Sequence, residues 1–249
     1  MPRPPGHGPG FEVRRQKIID TAAELFARQG YAATSVNDLG RAVGLAKGAL
    51  YYYIDSKENL LIEIQGRVMT PLLTRAREIA ALDAGPLVRL RLLSEALLTI
   101  IFRRLDHIWV YEHDYRSLTG EALSTLLGQR AEFERVVRGL IEEAVAAGGF
   151  RPVDPRVATL QFLNLHNHTY QWVKPEGRWD AAYLSREYCE TLMRGFGTPG
   201  AVLPDVEREA AAFTRAHPGL PLDPESPWRH PVEPSPAGPA TPAAPTPAR

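Results

Sequence analysis

Apolar residues recur at three- and four-residue spacing along most of the chain, the period of helices packed on one face. Over residues 12–29, Ile18, Ile19, Ala22, Leu25 and Phe26 share one side, and Gly30 marks the stop. Val36, Leu39 and Val43 predict a short second helix, opened by Ser35 and Asp38 as a capping box and closed by Gly44 in a left-handed cap. Leu45 re-enters the core, and residues 46–53 predict a third helix too short to be stable alone. Asp55 or Ser56 then caps a longer helix from Lys57, carrying Leu60, Leu61, Ile64 and Val68, with a kink expected at Pro71.

The rest of the chain repeats the same grammar. A break at residues 83–86 opens a helix over 87–104, and a segment rich in aromatic and charged residues follows at 107–118. The cleanest pattern runs over 121–147, with Leu123, Leu127, Phe133, Val137, Leu140, Ile141 and Val145 inward. Asp154 and Pro155 supply an N-cap and first helical residue for a helix expected over 156–173, and another is expected over 180–196. With no alternating β-branched run and no Asn-Gly hairpin turn, the fold class is all-α.

The ends differ in composition. Residues 1–11 are Pro- and Gly-rich and read as a flexible arm in which Arg3 is available to a phosphate; residues 199–249 hold 13 of the 22 prolines and read as a disordered tail with one weak helix near 205–215. Between them, residues 12–65 form one expected unit and 66–198 a second. Two short helices joined through a Gly turn are the layout of a helix-turn-helix, whose second helix enters the DNA major groove.

Charge neither helps nor forbids that reading. Lys plus Arg and Asp plus Glu number 29 each, so any attraction to DNA is local. Lys47 and Lys57 stand at the starts of consecutive helices, where a phosphate meets both the ammonium and free helix amides. Tyr51 and Tyr52 offer rings and hydroxyls to the DNA backbone or a thymine methyl, and Gly48 permits close backbone approach. A single cysteine, no signal peptide and no apolar run of about 18 residues point to a cytoplasmic protein that does not span a membrane.

With these features in place the chain resembles the TetR family of bacterial one-component transcription regulators. The likeness is strongest over residues 14–62, through the run AAELFARQGYAATSVNDLGRAVGLAKGALYYYIDSKENLL. It implies a homodimer whose N-terminal units read two half-sites of a pseudo-palindromic double-stranded operator, while residues 66–198 dimerise and hold a small effector that releases the DNA. The family pattern places DNA contacts at the positions of Ser35, Lys47, Gly48, Tyr51, Tyr52 and Lys57. It usually has His and Phe where this chain has Tyr53 and Ile54, which leaves Tyr53 either packed or on a phosphate.

For the effector, Asn164, Asn167 or His168, and Gln171 form a polar stripe that meets either a second copy of the chain or a ligand. Residues 170–178 are similar to a Trp-x-Arg-Pro-x-Gly turn of TetR-type regulators that respond to acyl-CoA thioesters, with Lys174 in place of Arg. That likeness implies an effector site drawn from Trp109, Tyr111, Tyr115, His168, Trp172, Lys174 and Arg178. The competing effector is a lipophilic drug-like molecule, with an efflux pump as the regulated gene. A further class, a metal protein or enzyme acting through the His-rich helices, is weaker. His107, Glu112, His113 and Asp114 are ligand types, but adjacent helical residues diverge and no His pair has i, i+4 spacing. No catalytic residue, metal or cofactor is assigned.

Overall fold

The computed structural model describes residues 9–200 and 205–217. These contain ten α-helices and, apart from one isolated bridge between Phe150 and Gly197, no β-pairing. The chain is all-α, as its periodicity requires.

Helix α1 runs Pro9–Gln29, α2 Val36–Val43 and α3 Lys47–Ile54. Their shared core is Ile18, Ile19, Ala22, Phe26, Leu39, Leu50 and Ile54, all at most 3 % exposed. The arm expected through residue 11 is therefore shorter, because α1 already starts at Pro9. Proline is tolerated at a first helical position, and Phe11 two residues on finds ring partners on α3. Residues 1–8, and most of the tail from residue 199, lie outside the described residues.

Helix α4, Lys57–Ala80, runs unbroken through Pro71, where a kink was expected. Its first turns pack on α1 and the later ones on the second half of the molecule, so it crosses the boundary expected at residues 65 and 66. Helix α5, Pro86–Arg103, buries residues around its whole circumference and forms the centre of that half. Around it lie α6 (Leu105–His113), α7 (Gly120–Ala146), α8 (Pro155–Asn167), α9 (Ala181–Phe196) and α10 (Val206–Ala216), with short 3-10 turns at Tyr115–Ser117 and His168–Gln171. The helices expected over 107–118 and 156–173 thus each end early in such a turn. Leu127, expected inward, is 45 % exposed.

A chain of hydrogen bonds crosses this apolar interior. Arg91 Nη1 donates to Ser185 Oγ at 2.8 Å, Ser185 Oγ donates to Ser94 Oγ at 2.8 Å, and Ser94 Oγ lies 2.6 Å from His166 Nε2. His166 Nδ1 lies 2.7 Å from the Phe162 carbonyl, which can only accept. The proton of neutral His166 is therefore on Nδ1, Nε2 accepts from Ser94, and every donor in the chain points the same way. Carboxylates of Glu95 and Glu207 balance the Arg91 charge, the latter reaching it from α10 at 2.6 Å.

Burial holds His166 down from the ordinary 6.5 to about 4. A depressed histidine leaves the unfolded chain binding the extra proton, so stability is intact above 6.5 and falls as pH drops toward 4. Thermal or urea unfolding should show about 2 kcal/mol less stability at pH ~5 than at pH ~7 from this group, a loss missing from His166→Gln. An equal acid sensitivity in that variant would contradict the donor order.

Candidate nucleic-acid interface and effector site

Helix α2 begins where the sequence places it. Ser35 Oγ accepts from the Asp38 amide at 3.1 Å, and the Ser35 amide and hydroxyl donate to Asp38 Oδ2 at 2.8 and 2.6 Å. Those bonds hold the Asp38 carboxyl down to about 2. Gly44 closes the helix at φ 67°, the left-handed region glycine enters without strain. The turn to α3 is tight: the Leu45 amide donates to the Gly40 carbonyl at 2.8 Å, and a Cβ on Gly40 would sit 2.7 Å from the Leu45 oxygen. Gly40 therefore sets how closely α3 approaches α2, a requirement that periodicity alone did not reveal.

Helix α3 is two-sided. Leu50 and Ile54, one helical turn apart, anchor it in the core, while Lys47, Gly48, Ala49, Tyr51 and Tyr52 face outward. Tyr52 is 62 % exposed and Tyr51 38 %. Tyr53 packs: its ring stacks on Phe11 at 4.9 Å, and its carbonyl accepts from Arg15 Nε at 3.2 Å. Phe11 also meets Tyr52 edge-on at 5.4 Å, so the first turns of α1 brace the outward tyrosine.

Lys57 departs from the expected role. Its Nζ donates to the Tyr31 carbonyl and lies 4.1 Å from the centre of the Tyr31 ring, so this half-buried side chain is held by the chain itself. Burial lowers its pKa and the nearby Asp114 carboxylate raises it back. Asp114, at the end of α6, also accepts from the Tyr31 amide at 3.3 Å. Thr119 Oγ1 donates to Glu58 at 3.3 Å beside it.

The seven residues expected at an effector site fall into separate groups. Trp109 stacks on His113 at 4.3 Å and meets Tyr170 edge-on at 5.6 Å. Tyr111 is buried, its hydroxyl donating to Met69 Sδ at 3.2 Å, and burial pushes it up to about 12. Arg130 of α7 lies between the rings of Tyr111 and Tyr115, at 4.1 and 4.3 Å. His168 is exposed and joins this region electrostatically through Glu112, whose carboxyl is raised by burial and lowered by Arg130, His113 and His168. Trp172, Lys174 and Arg178 lie apart on an exposed loop, with Trp172 edge-on to Trp179 at 6.0 Å. The polar stripe of Asn164, His168 and Gln171 faces outward, and the buried polar residues of α8 are Thr159 and His166 instead. Arg130 and Tyr170 were absent from the expected set; charge and aromatic character alone mark too many residues to single them out.

Among the described residues no group of three or more His, Cys, Asp or Glu is placed to hold a metal ion. No helix of the described residues is long and apolar enough to cross a membrane. A narrow apolar cleft is lined by Leu90, Ile141, Phe162, Cys189, Met193 and Phe196, away from the ring cluster.

The short α2–turn–α3 unit with a locked inner face and an open outer one, joined by a long helix to an all-helical second half, defines a helix-turn-helix DNA-binding protein. Residues 18–64 match the family model described as bacterial regulatory proteins, tetR family, and residues 83–196 match the tetracyclin repressor-like C-terminal domain. The chain belongs to the TetR family of transcription regulators. It is 29 % identical over 206 residues to the HTH-type transcriptional repressor KstR2 of Rhodococcus jostii, covering 80 % of this chain and 98 % of that one. The solved TetR-family regulator PfmR of Thermus thermophilus is 30 % identical with a TM-score of 0.66, covering 72 % of this chain and 97 % of that one. AibR, solved in complex with isovaleryl coenzyme A and operator DNA, is 26 % identical with a TM-score of 0.61, covering 74 % and 98 %. Family and relatives are regulators, not enzymes.

Because ring pairs contribute about 0.5–1.5 kcal/mol each, Phe11→Ala is expected to weaken operator binding about threefold to tenfold by freeing Tyr52 and Tyr53. A gel shift with unchanged affinity would remove Phe11 from the positioning of α3.

Proposed function

We propose that this regulator is a repressor that binds a pseudo-palindromic operator as a homodimer through α3 and is released by an acyl-CoA thioester. The observation that carries the DNA reading is the outward face of α3, which bears Lys47, Gly48, Tyr51 and Tyr52 and no acidic residue. A Cβ on Gly48 would meet nothing within 4 Å, so packing within the chain does not call for glycine there. Close approach to a backbone outside the chain does. Lys47 positions the helix on a phosphate and the tyrosines lie against sugar, phosphate or base edges. Ser35 and Lys57 act one step back, Ser35 by starting α2 and Lys57 by fixing Tyr31.

Residues 12–65 form the DNA-reading unit and 66–198 the effector and dimerisation unit, with α4 common to both. The dimer reading is supported by the outer face of α8, where Val157 and Leu160 are 51 % and 44 % exposed beside Asn164. Apolar side chains flanking polar ones suit a self-complementary two-fold contact. The effector reading is supported by two aromatic groups along α6, Trp109 with Tyr170 and Tyr111 with Tyr115 around Arg130, and by the likeness to AibR, whose solved complex contains an acyl-CoA. Trp172, Lys174 and Arg178 sit next along the chain from Tyr170 and are available to the outer part of such a ligand.

The same geometry supplies a route for release. The ring cluster occupies α6, and α6 ends at Asp114, which holds the Tyr31 amide and faces Lys57 at the start of α4. Displacing α6 moves α4, and with it the separation of the two recognition helices, which must match half-sites about 34 Å apart.

Operator affinity should fall steeply with salt, and Lys47→Ala should weaken binding to all sequences and reduce the salt slope by about one. Salt-insensitive binding would count against the DNA reading. Fatty acyl-CoA thioesters titrated into the protein–operator complex should release the DNA; no release by any of them sinks the effector reading alone. Light scattering should give twice the chain mass, and Leu160→Asp should give a monomer.

A further inference from the structure

The structure assigns Arg130 as the anion-recognition group of the effector site, taking a carboxylate or phosphate of an organic anion against the rings of Tyr111 and Tyr115. This rests on the effector reading above and narrows it to a chemical class.

Arg130 is held unlike Arg67, Arg89 and Arg91, each of which reaches a carboxylate of the protein. Arg130 forms no ion pair among the described residues. Instead Nε donates to Tyr111 Oη at 2.8 Å and Nη2 to the Tyr111 carbonyl at 2.7 Å. Tyr111 is itself fixed, only 8 % exposed and bonded to Met69 of α4. The side chain thus arrives ordered before any ligand binds, and the entropy of ordering an arginine has already been met by the fold.

Geometry limits what can approach. The rings of Tyr111 and Tyr115 lie 4.1 and 4.3 Å from the guanidinium carbon, and Tyr111 accepts from the Nε and Nη2 edge. What is left is the Nη1 edge, whose hydrogens lie in one plane. A planar array of donors pairs best with the two oxygens of a carboxylate or phosphate. The neighbouring acid is Glu112, whose carboxyl burial raises while Arg130, His113 and His168 lower it, so an incoming anion competes with Glu112 for the Arg130 charge and gains from the two histidines. A lipophilic cation would meet Arg130 directly and be repelled, and a neutral ligand would cover a charge without pairing it.

The test uses the full-length protein on operator DNA at matched saturation, titrated with octanoyl-CoA, which carries phosphates, and with free octanoate, which carries a carboxylate. Binding is followed in parallel by intrinsic tryptophan fluorescence. For Arg130→Gln, the concentration giving half-release should rise at least about tenfold. Arg130→Lys keeps the charge but not the fork and should fall between. A dependence on Arg130 with octanoyl-CoA supports a phosphate as the partner. If only octanoate releases the DNA, and does so through Arg130, the thioester reading fails and the anion assignment stands. Release of both variants at the wild-type concentration overturns the assignment and leaves the thioester reading intact. If neither ligand binds the wild-type protein, both are overturned. A purely structural Arg130 would lower the melting temperature of the variants without moving the half-release concentration.

Discussion

The ammonium of Lys57 sits on the carbonyl of Tyr31 and over its ring, while the amide of the same residue donates to Asp114. Three segments that are distant in sequence therefore meet at one residue: the turn after α1, the first residue of α4 and the last turn of α6. None of these contacts is strong alone, and partial burial of a lysine works against its charge. Asp114 offsets this, because its carboxylate faces the ammonium and favours the charged form. The result is a junction whose charges belong to different halves of the molecule. A shift of α6 separates Asp114 from both of its partners at once, so the junction transmits a movement instead of absorbing it.

This use of Lys57 also bears on how a chain of zero net charge presents itself to DNA. Four acids of the N-terminal unit are paired with arginines: Asp20 with Arg67, Glu24 with Arg28, Asp38 with Arg41 and Glu63 with Arg15. Exposed pairs of this kind add little stability, but they neutralise carboxylates that would otherwise repel phosphates. On α3 no such pairing is needed, since residues Lys47–Ile54 contain no acid. The outward surface of that helix is thus a lysine, a glycine and tyrosines, and the field a phosphate meets there is set by Lys47 and the free amides of the helix start.

What could be read in the sequence is what is encoded within a few residues. Ser35 and Asp38, Gly44, Ser56, and Asp154 with Pro155 all act on backbone groups two to six positions away, and each behaves as its residue type dictates. Leu50 and Ile54 declare the inner face of α3 by their spacing. The departures all depend on distant partners. Phe11 extends α1 because Tyr53 lies under it. Lys57 turns inward because Tyr31 supplies both a ring and a carbonyl. Leu127 satisfies a helical period and still faces outward, since the described chain places nothing over that part of α7. His166, and not the asparagines beside it, turns inward on α8, because Ser94 of α5 stands opposite. Hydrophobic spacing says which face turns inward; it does not say which polar neighbour waits there.

Lys57 and Arg130 show how similar chemistry leads to opposite uses. Both are part-buried cations resting on tyrosine rings, and both are bonded to a backbone carbonyl of the tyrosine they cover. An ammonium is a compact charge, and once the carbonyl and ring of Tyr31 are in place, with Asp114 nearby, its surroundings are complete. A guanidinium is planar and wider, so two bonds to Tyr111 and two covering rings still leave one edge of donors without a partner. Coupling the halves of the molecule calls for a closed contact that breaks only when α6 moves. Recognising an anion calls for a fixed cation that is incomplete until the anion arrives. The fold places the closed one at the end of α6 and the open one against its middle.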